Sequence, residues 1–197
     1  TWTGNPKADL VKDQDGNIIK MPDGGKGRFV HEPEVKEFLD LLCKKDAENN
    51  FPFSIDEYRR MFRHTLWVVS HVNEAAALEQ LLKEHKTFHR FDVAGKSDTD
   101  EQNENALDKV LKAIGDNPEK TSTITISCGR LTTGVTVAPW SAVFYLKGGD
   151  RAATYMQTIF RVQSPYKTPD GKFVKKECYV FDFAPDRTLQ IVAKTAK

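Results

Sequence analysis

The chain has 197 residues, 39% hydrophobic and 29% charged, a mixture that builds a soluble globular core and excludes disordered and membrane-spanning classes. Its 29 Lys and Arg face 28 Asp and Glu for a net charge of +1, so no global positive field marks a nucleic-acid binder and any such contact must come from a local patch. Cys43, Cys128 and Cys178 stand far apart with no C-x-x-C pair, which argues against a zinc site or a disulfide framework and for a reducing, cytoplasmic setting.

Residues 1–28 hold Gly4, Gly16, Gly24, Gly25 and Gly27, and Asp13-Gln14-Asp15-Gly16-Asn17 supplies turn chemistry between Leu10-Val11 and Ile18-Ile19. A hairpin followed by a glycine-rich loop is expected there. The start has no basic-then-apolar leader pattern and no initiator Met, so the sequence reads as a fragment or a processed product. After Pro33, Glu34 to Lys45 places Val35, Phe38, Leu39, Leu41 and Leu42 at helical spacing, and Ser54-Ile55-Asp56-Glu57 opens a second helix toward Phe62.

From His64 onward short apolar runs alternate with amphipathic stretches. The expected elements are a strand over Thr65 to Val69, a helix over Asn73 to His85, a strand over Phe88 to Val93, a helix over Glu101 to Ile114, strands over Thr123 to Ser127 and Ala142 to Leu146, a helix around Ala152 to Arg161, and a strand over Cys178 to Phe183. Strands separated by helices imply parallel crossovers and helices on both faces of a mostly parallel sheet. An α/β domain over residues 64–197, preceded by a hairpin and helical extension over 1–63, follows. Ligands of such a sheet gather at the carboxyl ends of its strands.

Several short patterns carry less than they suggest. Gly95-Lys96-Ser97 follows a strand as the end of a phosphate loop does, but Arg90 stands where the loop's first glycine belongs, and Asp98, Asp100, Glu101 and Glu104 would repel a triphosphate. Asp13-x-Asp15-x-Asn17 fails as a calcium loop, with Ile18 at the glycine position and Gly24 where a bidentate Glu belongs. None of His31, His64, His71, His85 and His89 forms an H-E-x-x-H pattern, so no metal is expected. Asp182 and Asp186 flank a strand end without a matching acid–base partner and read as structural caps.

Two segments resemble motifs of superfamily two helicases. Ile124-Thr125-Ile126-Ser127-Cys128-Gly129-Arg130-Leu131-Thr132-Thr133-Gly134-Val135-Thr136 is similar to motif V, with Gly134-Val135-Thr136 in the place of that family's Gly-aliphatic-Asp. Tyr155-Met156-Gln157-Thr158-Ile159-Phe160-Arg161-Val162-Gln163-Ser164-Pro165 resembles motif VI, commonly Q-R-x-G-R-x-x-R, through Gln157 and Arg161. Phe160 replaces the glycine and Ser164 the last arginine, which implies a subfamily with one finger or with one supplied elsewhere. Upstream, Leu66-Trp67-Val68-Val69-Ser70-His71-Val72-Asn73-Glu74-Ala75-Ala76-Ala77-Leu78 looks like motif IV, a strand whose end meets nucleic acid ahead of a helix. The order and wording are most similar to helicase subunits of bacterial restriction-modification systems, of the type III res-subunit kind, over about residues 28 to 193.

What the resemblance implies is specific. The chain would be the second RecA-like lobe of an ATP-dependent DNA helicase or translocase, with ATP and Mg2+ held mainly by a first lobe of the same polypeptide. Arg161, with Gln157 beside it one helical turn away, would be the arginine finger, a fixed cation worth roughly a thousandfold or more in turnover. Gly134 and Thr136 would approach the nucleotide, and Ser70, His71, Cys128, Arg130, Thr132 and Thr133 would line the DNA track. The reading expects Arg161 exposed and at the same end of the sheet as the loops after Val69 and Ser127. The lobe alone would be inactive; its partners would be DNA, the first lobe and methyltransferase or nuclease subunits, and no membrane. The alternative is a non-catalytic α/β binding or interaction module, in which Arg161 is a surface or ion-paired residue.

Overall fold

The structure, a computed structural model, describes residues 28–29, 31–94, 103–129, 131, 135–148, 152–167, 170–184, 186 and 193. The expected hairpin near residues 10–19 and the Gly95-Lys96-Ser97 turn lie outside the described residues.

Five strands, β1 His64–Val68, β2 Asp92–Ala94, β3 Thr123–Ser127, β4 Ala142–Tyr145 and β5 Tyr179–Asp182, form one sheet in the order β2-β3-β1-β4-β5. Every pairing is parallel. The three inner strands β1, β3 and β4 are buried along their whole length, which is why they appear in the sequence as unbroken apolar or threonine-containing runs rather than as alternating patterns. Helices α1 Glu32–Leu42, α2 Asp56–Met61, α3 Val72–Glu84, α4 Asn103–Ile114 and α5 Ala152–Ile159 complete the α/β architecture.

The sheet has two differently built faces. One packs Trp67, Ile124, Ile126 and Phe144 against α1 through Leu39 and Leu42 and against α3 through Leu78 and Leu82, with Phe53 and Phe88 between them. Phe144 stacks at 4.9 Å on Trp67 and at 4.5 Å on Phe181, and Phe53 lies 5.6 Å from it. The other face packs Leu66, Val68, Val143 and Tyr145 against Ala106, Val110 and Ile114 of α4, Tyr155 of α5, and Leu131, Val137 and Trp140 between β3 and β4. Buried threonines serve the two buried indoles: Thr65 Oγ accepts from Trp67 Nε1 at 2.9 Å and Thr125 Oγ from Trp140 Nε1 at 3.2 Å.

The chain path follows one handedness. From central β1 it crosses the aromatic face through α3 to edge strand β2, then returns over the opposite face through α4 to β3. It continues over that second face past β1 to β4, and through α5 to β5. Motion toward one edge over one face and toward the other edge over the opposite face is what a single crossover hand requires.

Two expectations are corrected. Phe88 to Val93 is not one strand: Phe88–Arg90 form a 3-10 turn and only Asp92–Ala94 pair with β3. Phe88 and Phe91, three apart, both turn onto Phe53, at 4.9 and 5.6 Å, and His85 Nδ1 accepts from the Thr87 and Phe88 amides, so aromatic anchoring and a side-chain cap bend the segment. The helix expected to reach Arg161 ends at Ile159 and tightens into a 3-10 turn over Phe160–Val162. Gln157 and Arg161 therefore do not share one uninterrupted α-helical face.

Candidate functional site

Strand register brings the first loops together. Val68 of β1 pairs with Ser127 of β3 on one side and Tyr145 of β4 on the other. The ladder runs one residue further, with Val69 N donating to Ser127 O at 3.0 Å and Leu146 N to Val68 O at 2.9 Å. Ser70-His71 and Cys128-Gly129 thus leave the sheet side by side. The chain after β1 goes over the aromatic face and the chains after β3 and β4 over the other, so these loops flank a switch point of the kind that binds ligands in open α/β sheets.

Each loop is held by its own side chains. The buried Glu74 carboxylate reaches back from the first turn of α3 and accepts from Ser70 N at 2.8 Å and His71 N at 3.3 Å. That reciprocal contact fixes how the chain enters the helix. Ser127 Oγ accepts from the Gly129 and Leu131 amides, each at 3.3 Å, and Gly129 has φ +124°, a conformation that side chains disfavour. Ser70 is half-buried, His71 exposed and Cys128 half-buried against the aromatic core. Arg130, Thr132, Thr133 and Gly134 lie outside the described residues.

The motif-like segments further along meet each other elsewhere. Thr136 is exposed, and the carbonyl of its neighbour Val135 accepts from Arg161 Nη1 at 2.9 Å, while Arg161 Nε donates to Gln157 O at 3.2 Å. Gln157 is exposed and Arg161 half-buried. Tyr155 packs against Tyr145 at the carboxyl end of β4, with ring centroids 5.0 Å apart, and from there α5 runs back along the sheet. Val162 O, one residue beyond Arg161, is bound by Lys175 Nζ together with Ala138 O and Trp140 O, just ahead of the amino end of β4. Arg161 is therefore joined to Gln157 and the Val135–Thr136 segment, and its neighbour Val162 lies by the amino end of β4, whereas Ser70, His71 and Cys128 leave the carboxyl ends of their strands. The expectation that it stands at their end of the sheet is corrected, because α5 carries it away.

Sequence reasoning missed two residues that organise this region. Glu74 had a signal, since an acid three residues after a helix entry is a capping pattern. Lys175 had none: its three acceptors, each at 2.8 Å, are backbone carbonyls distant in the chain. Burial draws its ammonium down to about 8, against a smaller opposing pull from Cys178. Asp182 Oδ1 accepts from the Ala184 amide at 2.9 Å, the local turn role expected of it.

No protein-family model matches the chain. Over 190 residues it is 34% identical to the C-terminal part of a provisionally named type II restriction enzyme and methyltransferase of Mycoplasma pneumoniae, an alignment that takes in 93% of this chain. The chain spans about a quarter of that relative's length, 26%. Among solved structures, the C-terminal part of the Fun30 ATPase domain matches with a TM-score of 0.45 at 9% identity, over 81% of this chain and 54% of the other, a likeness too low to bear on function. Among the described residues no helix is long and apolar enough to cross a membrane.

Proposed function

We propose that the chain is the second RecA-like lobe of an ATP-dependent DNA helicase or translocase that works within a restriction-modification enzyme. The observation that carries this reading is the hydrogen bond from Arg161 to the Val135 carbonyl. It joins the two segments that resemble motifs V and VI, which lie far enough apart in the chain that only folding brings them together. The relative, named as a restriction enzyme and methyltransferase and aligned over nearly all of this chain, supports the DNA-processing context. ATP and Mg2+ would be held by another lobe, and methyltransferase or nuclease parts of the same enzyme are the expected partners.

In this reading the carboxyl-end loops grip DNA. Ser70 and His71, positioned by Glu74, and Cys128 beside the turn built on Ser127 would offer hydroxyl, imidazole and thiol side chains to phosphate oxygens. The finer assignment gives Arg161 the role of arginine finger. Its place near the amino ends of the strands counts against a nucleotide seated over the carboxyl ends. The assignment demands a triphosphate presented against the far end of α5, and a guanidinium that leaves the Val135 carbonyl to meet it.

The test uses the full-length protein that contains this lobe, with ATP hydrolysis measured with and without DNA. Arg161→Ala is expected to lower turnover roughly a thousandfold while nucleotide affinity changes little. Unchanged turnover would leave Arg161 as an anchor for α5 and return the lobe to the class of interaction modules. Arg161→Lys separates the roles further, since a lysine still reaches one carbonyl but cannot present a planar fork to a phosphoryl group.

A further inference from the structure

At the amino ends of the strands, on the side opposite the loops after β1 and β3, the structure has a cavity of about 380 Å³. His64, which opens β1, Ser141, just before β4, and Tyr179, which opens β5, line its floor. Its rim carries Arg60, Arg63 and Lys176, and among the described residues none of these three forms an ion pair with a carboxylate. Between them the wall is apolar, made by Pro118, Val174 and the half-buried ring of Tyr166.

Two other charged groups in the lining are already engaged. Lys175 spends its three protons on the Ala138, Trp140 and Val162 carbonyls, so it shapes the wall and has none left for a ligand. Glu177 accepts from the Tyr179 hydroxyl. Accepting from that neutral hydroxyl leaves the Glu177 carboxylate charged, so the lining sets Arg60, Arg63, Lys175 and Lys176 against Glu119 and Glu177, a positive surplus that favours an anion although the chain as a whole is nearly neutral.

We propose that this cavity is a second nucleic-acid contact, which takes one nucleotide of a single strand. Its volume lies at the small end of ligand sites and is too confined for a duplex. Arg60, Arg63 and Lys176 meet the flanking phosphates, and the base lies against Tyr166 and Val174. Single-strand sites combine these two features, a cationic rim that follows the backbone and a flat apolar or aromatic surface for the base. An acidic peptide would satisfy the rim and leave the wall uncovered, so the nucleotide is the occupant that uses the whole concavity. The site is distinct from the loops assigned to DNA above, and it requires neither ATP nor Arg161.

The experiment is an anisotropy titration of the full chain with fluorescein-labelled oligothymidylate across a salt series. The triple variant Arg60→Gln, Arg63→Gln and Lys176→Gln is expected to weaken binding and to flatten the dependence of log K on log salt by about 0.7 per lost phosphate contact, about 2 in all. Tyr166→Ala is expected to weaken binding at least about fivefold with the salt slope kept, since it removes stacking and no charge. The changes at the exposed Arg60 and Lys176 alone should flatten the slope by about two contacts' worth, which keeps the test intact if the triple variant melts early. Wild-type affinity and slope in these variants would overturn the proposal. So would displacement of the oligonucleotide by polyglutamate at equal charge concentration, which would identify an acidic peptide as the occupant. Neither result bears on ATP hydrolysis, so this site and the motor reading can fail separately.

Discussion

The two ends of the sheet are built on different principles, and the contrast shows how chemistry is distributed over this domain. At the carboxyl end the loops are tied by local side chains: Glu74 caps the entry to α3 and Ser127 the turn that follows β3. Every such contact joins residues within four positions of one another, so the loops keep their shape whatever binds them. At the amino end the organising contacts are long-range. Lys175 draws together three carbonyls from two distant segments, and His64 Nε2 donates to Pro118 O at 2.7 Å, with Nδ1 2.9 Å from Thr123 Oγ. One end is a set of self-contained turns; the other is a junction whose walls depend on the whole fold.

The contrast can be broken or sharpened by mutation. The largest effect is expected where both ends share a support. Phe144→Ala removes the ring stacked between Trp67 and Phe181, and should cost about 3–5 kcal/mol in denaturant unfolding. Next comes the amino-end junction: Lys175→Met leaves three carbonyls without their shared donor and should cost about 2 kcal/mol. Hydrogen exchange in that variant should rise around residues 138–141 and 162 while Ser70 and His71 stay as protected as before. Glu74→Ala is the reciprocal change. It should cost about 1 kcal/mol and loosen the Ser70–His71 entry to α3 alone. Exchange that spread to both ends in either variant would show that the ends are not independent.

The smallest effect is a pH dependence. Burial lowers the pKa of His64, and because a carbonyl can only accept, the folded state holds the neutral ring with its proton on Nε2. A group whose folded pKa lies below its unfolded value contributes stability in full above the unfolded value, near 6.5 for histidine, and loses it as pH falls toward the folded value. His85 is shifted the same way, first by burial and against the pull of Asp40. Thermal stability should therefore fall as acid is added below about pH 6.5, and less steeply in His64→Gln. An identical acid slope in that variant would remove His64 from the explanation.

Much of the fold was legible in the residues. β3 is expected at Thr123 to Ser127 and lies there, and α3 comes within one residue, because a buried strand leaves a short unbroken run and an amphipathic helix a 3.6-residue period. Phe88–Arg90 defeated the pattern, since two phenylalanines three apart serve a 3-10 turn as readily as a strand, and Phe53, far back in the chain, decided between them. The candidate site was legible only where its contacts are local. Ser70, His71 and Cys128 could be assigned to one end of the sheet because they follow strands. The position of Arg161 depends on the length and direction of α5, and on Val135 twenty-six residues away, as read from the hydrogen bond between them. The cavity edged by Arg60, Arg63 and Lys176 leaves no sequence trace, because its walls come from five stretches of chain that meet only after folding.

The role given to the carboxyl-end loops reduces to one ratio, the turnover of ATP by the full-length protein with duplex DNA divided by that without it. In the wild type this ratio should lie well above one, and Ser70→Glu with His71→Glu, which sets two carboxylates against the phosphate backbone, should bring it close to one. A ratio in the double variant equal to that of the wild type would mean that these loops do not grip DNA.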